Sequence, residues 1–129
     1  MIFKLHHVGI VCSAEQSDVL RRFIGMFGVL PNPIVRYLPV FGCTCIMVGM
    51  IEFIIPDVGS KLDKYLIEQG RSSIHHIAIH VDDIVATCAK LTAFGYKLVT
   101  VNPVEGVGGI LVNFIHPIDT GIMVELVQI

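Results

Sequence analysis

A chain of 129 residues that writes the same pattern twice is constrained to fold as two similar halves. Residues 5–11 read LHHVGIV and residues 74–80 read IHHIAIH, so a histidine doublet opens an apolar run in both places. Later in each half a single glutamate interrupts an apolar run: Glu52 in IEFI and Glu125 in VELV. His7 and His76 are 69 residues apart (76 − 7), and Glu52 and Glu125 are 73 apart (125 − 52). Within the halves, histidine and glutamate are separated by 45 residues (52 − 7) and 49 residues (125 − 76). Each half therefore carries one histidine on its first strand and one glutamate on its last.

The punctuation between these points agrees with a duplicated unit. FKLHHVGIVC reads as a strand, and Ser13 and Gln16 have capping-box spacing ahead of AEQSDVLRRFIGMFG. Val19, Leu20, Phe23, Met26 and Phe27 form the apolar stripe of that helix, and Gly28 stands where a C-cap belongs. PIVRYLP, CTCIMVG and IEFIIP follow as short strands bounded by proline and glycine. In the second half IHHIAIHV is a strand, and Asp82 or Asp83 caps DIVATCAKLTAFG, with Ile84, Val85, Cys88, Leu91 and Phe94 on one face before Gly95. YKLVTV, GILVNFIHP and GIMVELVQI supply three more strands. Between the halves, Ser60 caps a short helix through Leu62, Tyr65 and Leu66 that Gly70 ends. The expectation is an α+β chain of two fused βαβββ modules in one domain, residues 1–129. Module one spans 1–57, the connecting helix 58–72 and module two 73–129.

Composition removes several functions. Net charge is −2, the pI is about 6.3, and Arg21-Arg22 is the only adjacent basic pair, so no basic stripe invites nucleic acid or anionic lipid. Residues 37–56 carry one charge in twenty positions, yet Pro39, Gly42, Gly49 and Glu52 break the run, and its β-branched residues suit buried strands. The start, MIFKLHHVGI, lacks a signal-peptide layout, which makes the cytoplasm the default address. Cys12, Cys43, Cys45 and Cys88 then read as free thiols in the core. The CTC pair is a weaker metal-binding alternative. A 53% hydrophobic content and a mean hydropathy of +0.75 leave surplus apolar surface, best buried against a second copy of the chain.

Strand side chains alternate between faces. His7 thus lies with Leu5, Gly9 and Val11, Glu52 with Met50 and Ile54, and Glu125 with Met123 and Val127. Both carboxylates fall in strands apolar on both sides, where a lone charge costs several kcal/mol (of order) unless a cation or donors stand nearby. One divalent ion would meet that need for both glutamates, with neutral imidazoles completing the set. Two nitrogens and two oxygens suit Zn, Ni, Co, Mn or Fe and leave positions for water or two substrate oxygens. Taken singly, each residue has a plainer reading: a strand glutamate at a sheet edge points to solvent, and a strand histidine is a hydrogen-bonded core or rim group. His6 and His75, the doublet partners, are expected to point away from the site. His80 is a pocket-rim candidate, and His116, beside Pro117, ends a strand.

These motifs resemble the vicinal oxygen chelate superfamily (glyoxalase, bleomycin resistance and dioxygenase proteins) over nearly the whole chain. The likeness is sharpest to methylmalonyl-CoA epimerase, in IHHIAIHVDDI and in GGILVNFIHPIDTGIMVELVQ, and IEFIIPDVGSKLDKYLIEQG resembles that enzyme's fourth strand and following helix. The resemblance implies metal ligands at His7, ahead of VGI, at His76, ahead of IAI, at Glu52 and at Glu125. It implies a glyoxalase-like fold, a cup-shaped mixed sheet, in a homodimer. It also implies chemistry. The ion chelates two adjacent substrate oxygens and stabilises the enolate formed when a neighbouring carbon loses its proton.

By that resemblance the chain is a metal-dependent epimerase or isomerase, methylmalonyl-CoA epimerase-like, taking a small-molecule substrate such as an acyl-CoA thioester. Glu125 and Glu52 are its candidates to carry the proton. Two departures stand out. Val40 occupies a segment where many epimerase relatives have an acid, with no acidic residue between Asp18 and Glu52, and Ile118 replaces the lysine of the family's HPK. Two other functions in the same superfamily remain open at this level: a glyoxalase I-like lactoylglutathione lyase and a non-catalytic binder of antibiotics or other small molecules.

Overall fold

Alternate burial is the mark of a strand with one face inside, and LHHVGIV has it. In the computed structural model, which describes residues 2–129, this segment is strand β1 (Leu5–Val11), with His7, Gly9 and Val11 buried and their neighbours more open. Helix α1 (Ala14–Gly25) follows through the expected capping box: Gln16 N–H donates to Ser13 Oγ at 3.1 Å, and Ser13 N–H donates to Gln16 Oε1 at 3.4 Å. Strands β2 (Ile34–Leu38), β3 (Cys43–Val48) and β4 (Ile51–Pro56) then pair antiparallel in sequence order. A two-residue turn, Gly49-Met50, joins β3 to β4. Its Gly49 adopts φ 60°, a value L-residues avoid, and Pro31 lies 3.3 Å from where a Cβ would stand. Helix α2 (Lys61–Gln69) begins at Ser60, whose Oγ accepts from Asp63 N–H, and ends at left-handed Gly70.

The chain divides into two compact units. One is Gly9–Ile74, and the other joins the segment ending at Val8 to His75–Ile129. In the first, the strands are hydrogen-bonded in the order β2-β3-β4-β1. Cys12, Val48 and Phe53 form its core under α1, with Leu20, Ile24, Leu30, Ile46 and Ile51 packed against them. Of the apolar stripe expected on α1, Leu20 packs inward and the other four residues do not. Ser17, Leu20 and Ile24 face the sheet at i, i+3 and i+7, whereas Val19 and Phe23 are exposed. Met26 and Phe27 are exposed as well, because the helix stops at Gly25 and they no longer follow its period.

The second unit opens with β5 (Ser73–His80) and α3 (Ile84–Ala93). Of the two candidate caps it is Asp83 that serves, its carboxylate accepting from Ala86 N–H at 3.0 Å. Strands β6 (Val104–Glu105), β7 (Leu111–Ile115) and β8 (Met123–Gln128) complete it, with α4 (Pro117–Thr120) before β8. The order here is β1-β5-β8-β7-β6, with β8 parallel to β5 and antiparallel to β7. Ile84, Cys88, Ile115, Val124 and Leu126 form the core against α3. The element order is thus β-α-β-β-β twice, an α+β fold.

YKLVTV is not a regular strand, contrary to expectation. Only an isolated bridge, Leu98 to Ile115, forms there, and the strand of this position is the two-residue β6 farther on. Backbone bonds from Val99 N–H to Phe114 O at 2.8 Å and from His116 N–H to Lys97 O at 2.7 Å flank that bridge, while Lys97 N–H donates to Asp119 Oδ2 at 2.6 Å and Thr100 N–H to Asn113 Oδ1 at 3.3 Å. His116 ends β7 and caps α4, its Nδ1 accepting from Ile118 N–H. All four cysteines are buried thiols outside any disulfide. Among the described residues no helix is long and apolar enough to cross a membrane.

Two neighbours on α3 test these packing assignments. Ile84 is 0% exposed and Val85 is 64% exposed. Ile84→Ala is expected to cost about 2–5 kcal/mol in urea unfolding, and Val85→Ala less than about 0.5 kcal/mol. Equal losses would contradict the assignment.

Candidate metal centre

Residues paired across adjacent strands point to the same face of a sheet. In the β5–β8 register Ala78 pairs with Glu125 and His76 with Met123, so His76 and Glu125 share a face and lie on a diagonal. The opposite face, carrying Ile77, Ile79, Val124 and Leu126, is the one α3 covers. The helix therefore takes the aliphatic side of the strands and leaves the imidazole and carboxylate on the other. His7 reaches the same place from the first half of β1. Its Nε2 lies 3.0 Å from His76 Nε2, 81° between the ring planes. Glu125 addresses both rings, Oε1 at 3.5 Å from His7 Nε2 and Oε2 at 3.4 Å from His76 Nε2. Phe114, opposite Glu125 on β7, lies T-shaped to the His76 ring, with centroids 5.6 Å apart. All three polar side chains are buried.

The donor set fits a divalent ion. Ligand bonds of roughly 2.0–2.2 Å place two donor atoms about 3.0 Å apart at right angles and about 3.4 Å apart at a tetrahedral angle. The separations of 3.0, 3.4 and 3.5 Å fall at those values. Metal-binding histidine must also be neutral. Burial, with a smaller contribution from His6, lowers the His7 pKa to about 4. Burial first, then His75 and His7, holds His76 well below the ordinary imidazole value.

Glu52 belongs to the other unit. It sits on β4 opposite Met47, and its face is shared by buried Cys45, Met47 and Ile54. Alternation puts its neighbour Phe53 in the core beneath α1 and Glu52 on the reverse side. Desolvation among these apolar groups raises its pKa to about 7. Of the four ligands expected from sequence, His7, His76 and Glu125 thus meet within one unit, and Glu52 is a buried carboxyl of the second.

The doublet partners do not stand apart from this chemistry. His6 Nδ1 lies 2.7 Å from His7 Nδ1, and His75 Nδ1 lies 2.9 Å from His76 Nδ1. Alternation alone suggested that both would point away. The rings of each pair instead meet Nδ1 to Nδ1 in a T-shaped arrangement. The signal in the sequence was the doubling itself. His80 stacks on His6, ring centroids 6.4 Å apart.

Comparison with known proteins yields one family. Residues 6–114 match the model of the Glyoxalase/Bleomycin resistance protein/Dioxygenase superfamily. The chain is 31% identical to the mitochondrial methylmalonyl-CoA epimerase of Dictyostelium discoideum, covering 97% of this chain and 78% of that protein. The crystal structure of methylmalonyl-CoA epimerase from Mycobacterium tuberculosis superposes with a TM-score of 0.83 at 26% identity, over 96% of this chain and 86% of that one. A methylmalonyl-CoA epimerase solved as its selenomethionine form gives 0.82 at 28% identity, over 99% and 97%. The fold is the glyoxalase-like fold of these proteins.

The raised Glu52 pKa gives a pH signature in chelator-treated protein. The native state holds this proton more tightly than the unfolded state between pH 4.5 and about 7. Its contribution to stability is therefore complete below pH 4.5 and is lost as pH rises through about 7. Glu52→Gln does not titrate, so its stability relative to the parent should improve by on the order of 3 kcal/mol from the lower to the upper end of this window. Urea unfolding at pH 5 and pH 8 measures the difference, and a pH-independent one would contradict the assigned shift.

Proposed function

The chain belongs to the glyoxalase/bleomycin resistance protein/dioxygenase superfamily, and from that premise we propose that it is a metal-dependent epimerase moving a proton at a carbon next to a carbonyl, with methylmalonyl-CoA its first substrate. The observation that carries this reading is the buried triad of His7, His76 and Glu125, two neutral nitrogens and a carboxylate at ligand spacing. Likeness over 97% of the chain to an enzyme named for that reaction supports it.

An α-proton beside a thioester carbonyl is too weakly acidic to leave unaided at neutral pH. A bound divalent ion supplies Lewis acidity toward negative charge developing on the substrate's oxygens. His7 and His76 would hold that ion through Nε2. The aliphatic strands around them exclude water, which strengthens every electrostatic interaction inside. Glu125 would complete that set within the same unit, and Glu52 is the repeat-equivalent glutamate of the other.

Epimerisation also needs a proton taken from one side of the carbon and returned on the other. The two carboxyls are the groups we assign to that task, since Val40 stands where many epimerase relatives have an acid.

Incubation of cobalt-loaded protein with methylmalonyl-CoA in deuterated water should place solvent deuterium at the α-carbon. Glu125→Gln should slow that exchange by about 10²–10⁴-fold. Absence of deuterium with the loaded parent protein would overturn the proposal.

A further inference from the structure

We propose that His6 and His75 are positioning residues that lock His7 and His76 in the tautomer presenting Nε2 lone pairs to the ion, each doublet forming a ligand and its own orienting partner. The inference rests on the metal-binding reading above. Its observation is a contact made twice in the same way. Nδ1 of the first histidine meets Nδ1 of the second at 2.7 Å in β1 and at 2.9 Å in β5. The ring centroids are 5.0 and 5.2 Å apart, with interplanar angles of 75° and 89°.

A histidine has two ring nitrogens, and only one carries the proton in the neutral ring. The Nε2 atoms of His7 and His76 face each other and Glu125, so binding an ion there requires both Nε2 lone pairs to be free and both protons to sit on Nδ1. A proton on Nδ1 needs an acceptor. His6 and His75 provide it through their own Nδ1 and keep their proton on Nε2. Stacking of His80 on the His6 ring restricts that ring's rotation. An imidazole acceptor differs from the carboxylate or carbonyl that more commonly orients a metal-binding histidine. It orients without adding negative charge, so the charge of the site is set by its glutamates.

Asparagine places its Oδ1 near the position of histidine Nδ1 and can accept the same hydrogen bond, whereas leucine fills the space and cannot. Zinc affinity, measured by competition with a chromogenic chelator, should fall about 10- to 100-fold in His6→Leu and in His75→Leu, and His6→Asn and His75→Asn should restore most of it. Leucine variants that bind zinc as tightly as the parent would overturn the inference while leaving the metal site intact. A parent protein that binds no zinc would instead remove the reading on which it rests. Nitrogen-15 NMR of the zinc-loaded parent gives an answer independent of whether any variant folds. Protons on Nδ1 of His7 and His76 are expected, and a proton on Nε2 of either would refute the assignment.

Discussion

Two imidazole nitrogens 3.0 Å apart, with a carboxylate 3.4–3.5 Å from both, form a buried polar knot on one face of the sheet. Burying such groups is costly unless their lone pairs find protons or a cation. Much of the surrounding structure is arranged so that they can be buried there. Helix α3 covers Ile77, Ile79, Val124 and Leu126, which leaves His76 and Glu125 on the free side of the same two strands. The parallel β5–β8 register sets the diagonal between them, and the first half of β1 brings His7. Low solvation then keeps the rings neutral, the form in which they bind metal.

The other unit repeats the layout. Helix α1 packs over Phe53 and Val48, and Glu52 occupies the reverse face among Cys45, Met47 and Ile54. A duplicated βαβββ unit thus places one buried glutamate on the last strand of each copy. This explains why the repeat distances in the sequence are so nearly equal for the histidines and the glutamates. It also explains the pKa of Glu52: a face evolved to surround a polar group with aliphatic ones raises the cost of charge there.

Much of this was legible in the residue order. Period-two alternation in LHHVGIV and IHHIAIH identified the faces, and Ser13, Ser60 and the pair Asp82-Asp83 marked helix starts by ordinary capping chemistry. Three features were not legible, each for a physical reason. Helix α1 buries Ser17 and leaves Phe23 exposed, because packing geometry rather than hydrophobicity chooses the stripe. YKLVTV has strand composition and bonds to the Phe114 and His116 backbone around one bridge, but the Asp119 and Asn113 side chains take Lys97 N–H and Thr100 N–H, which interrupts the ladder. The approach of His6 and His75 to their neighbours depends on side-chain torsions that alternation does not specify.

Two imidazoles and carboxylate oxygen spaced to surround one ion have a spectroscopic signature. X-ray absorption of the zinc-loaded protein reads that first shell directly. It should contain only nitrogen and oxygen, with the outer-shell scattering of two imidazole rings. A shell with sulfur, as the Cys43 and Cys45 thiols 3.8 Å apart would supply, or one lacking paired imidazoles, would contradict it.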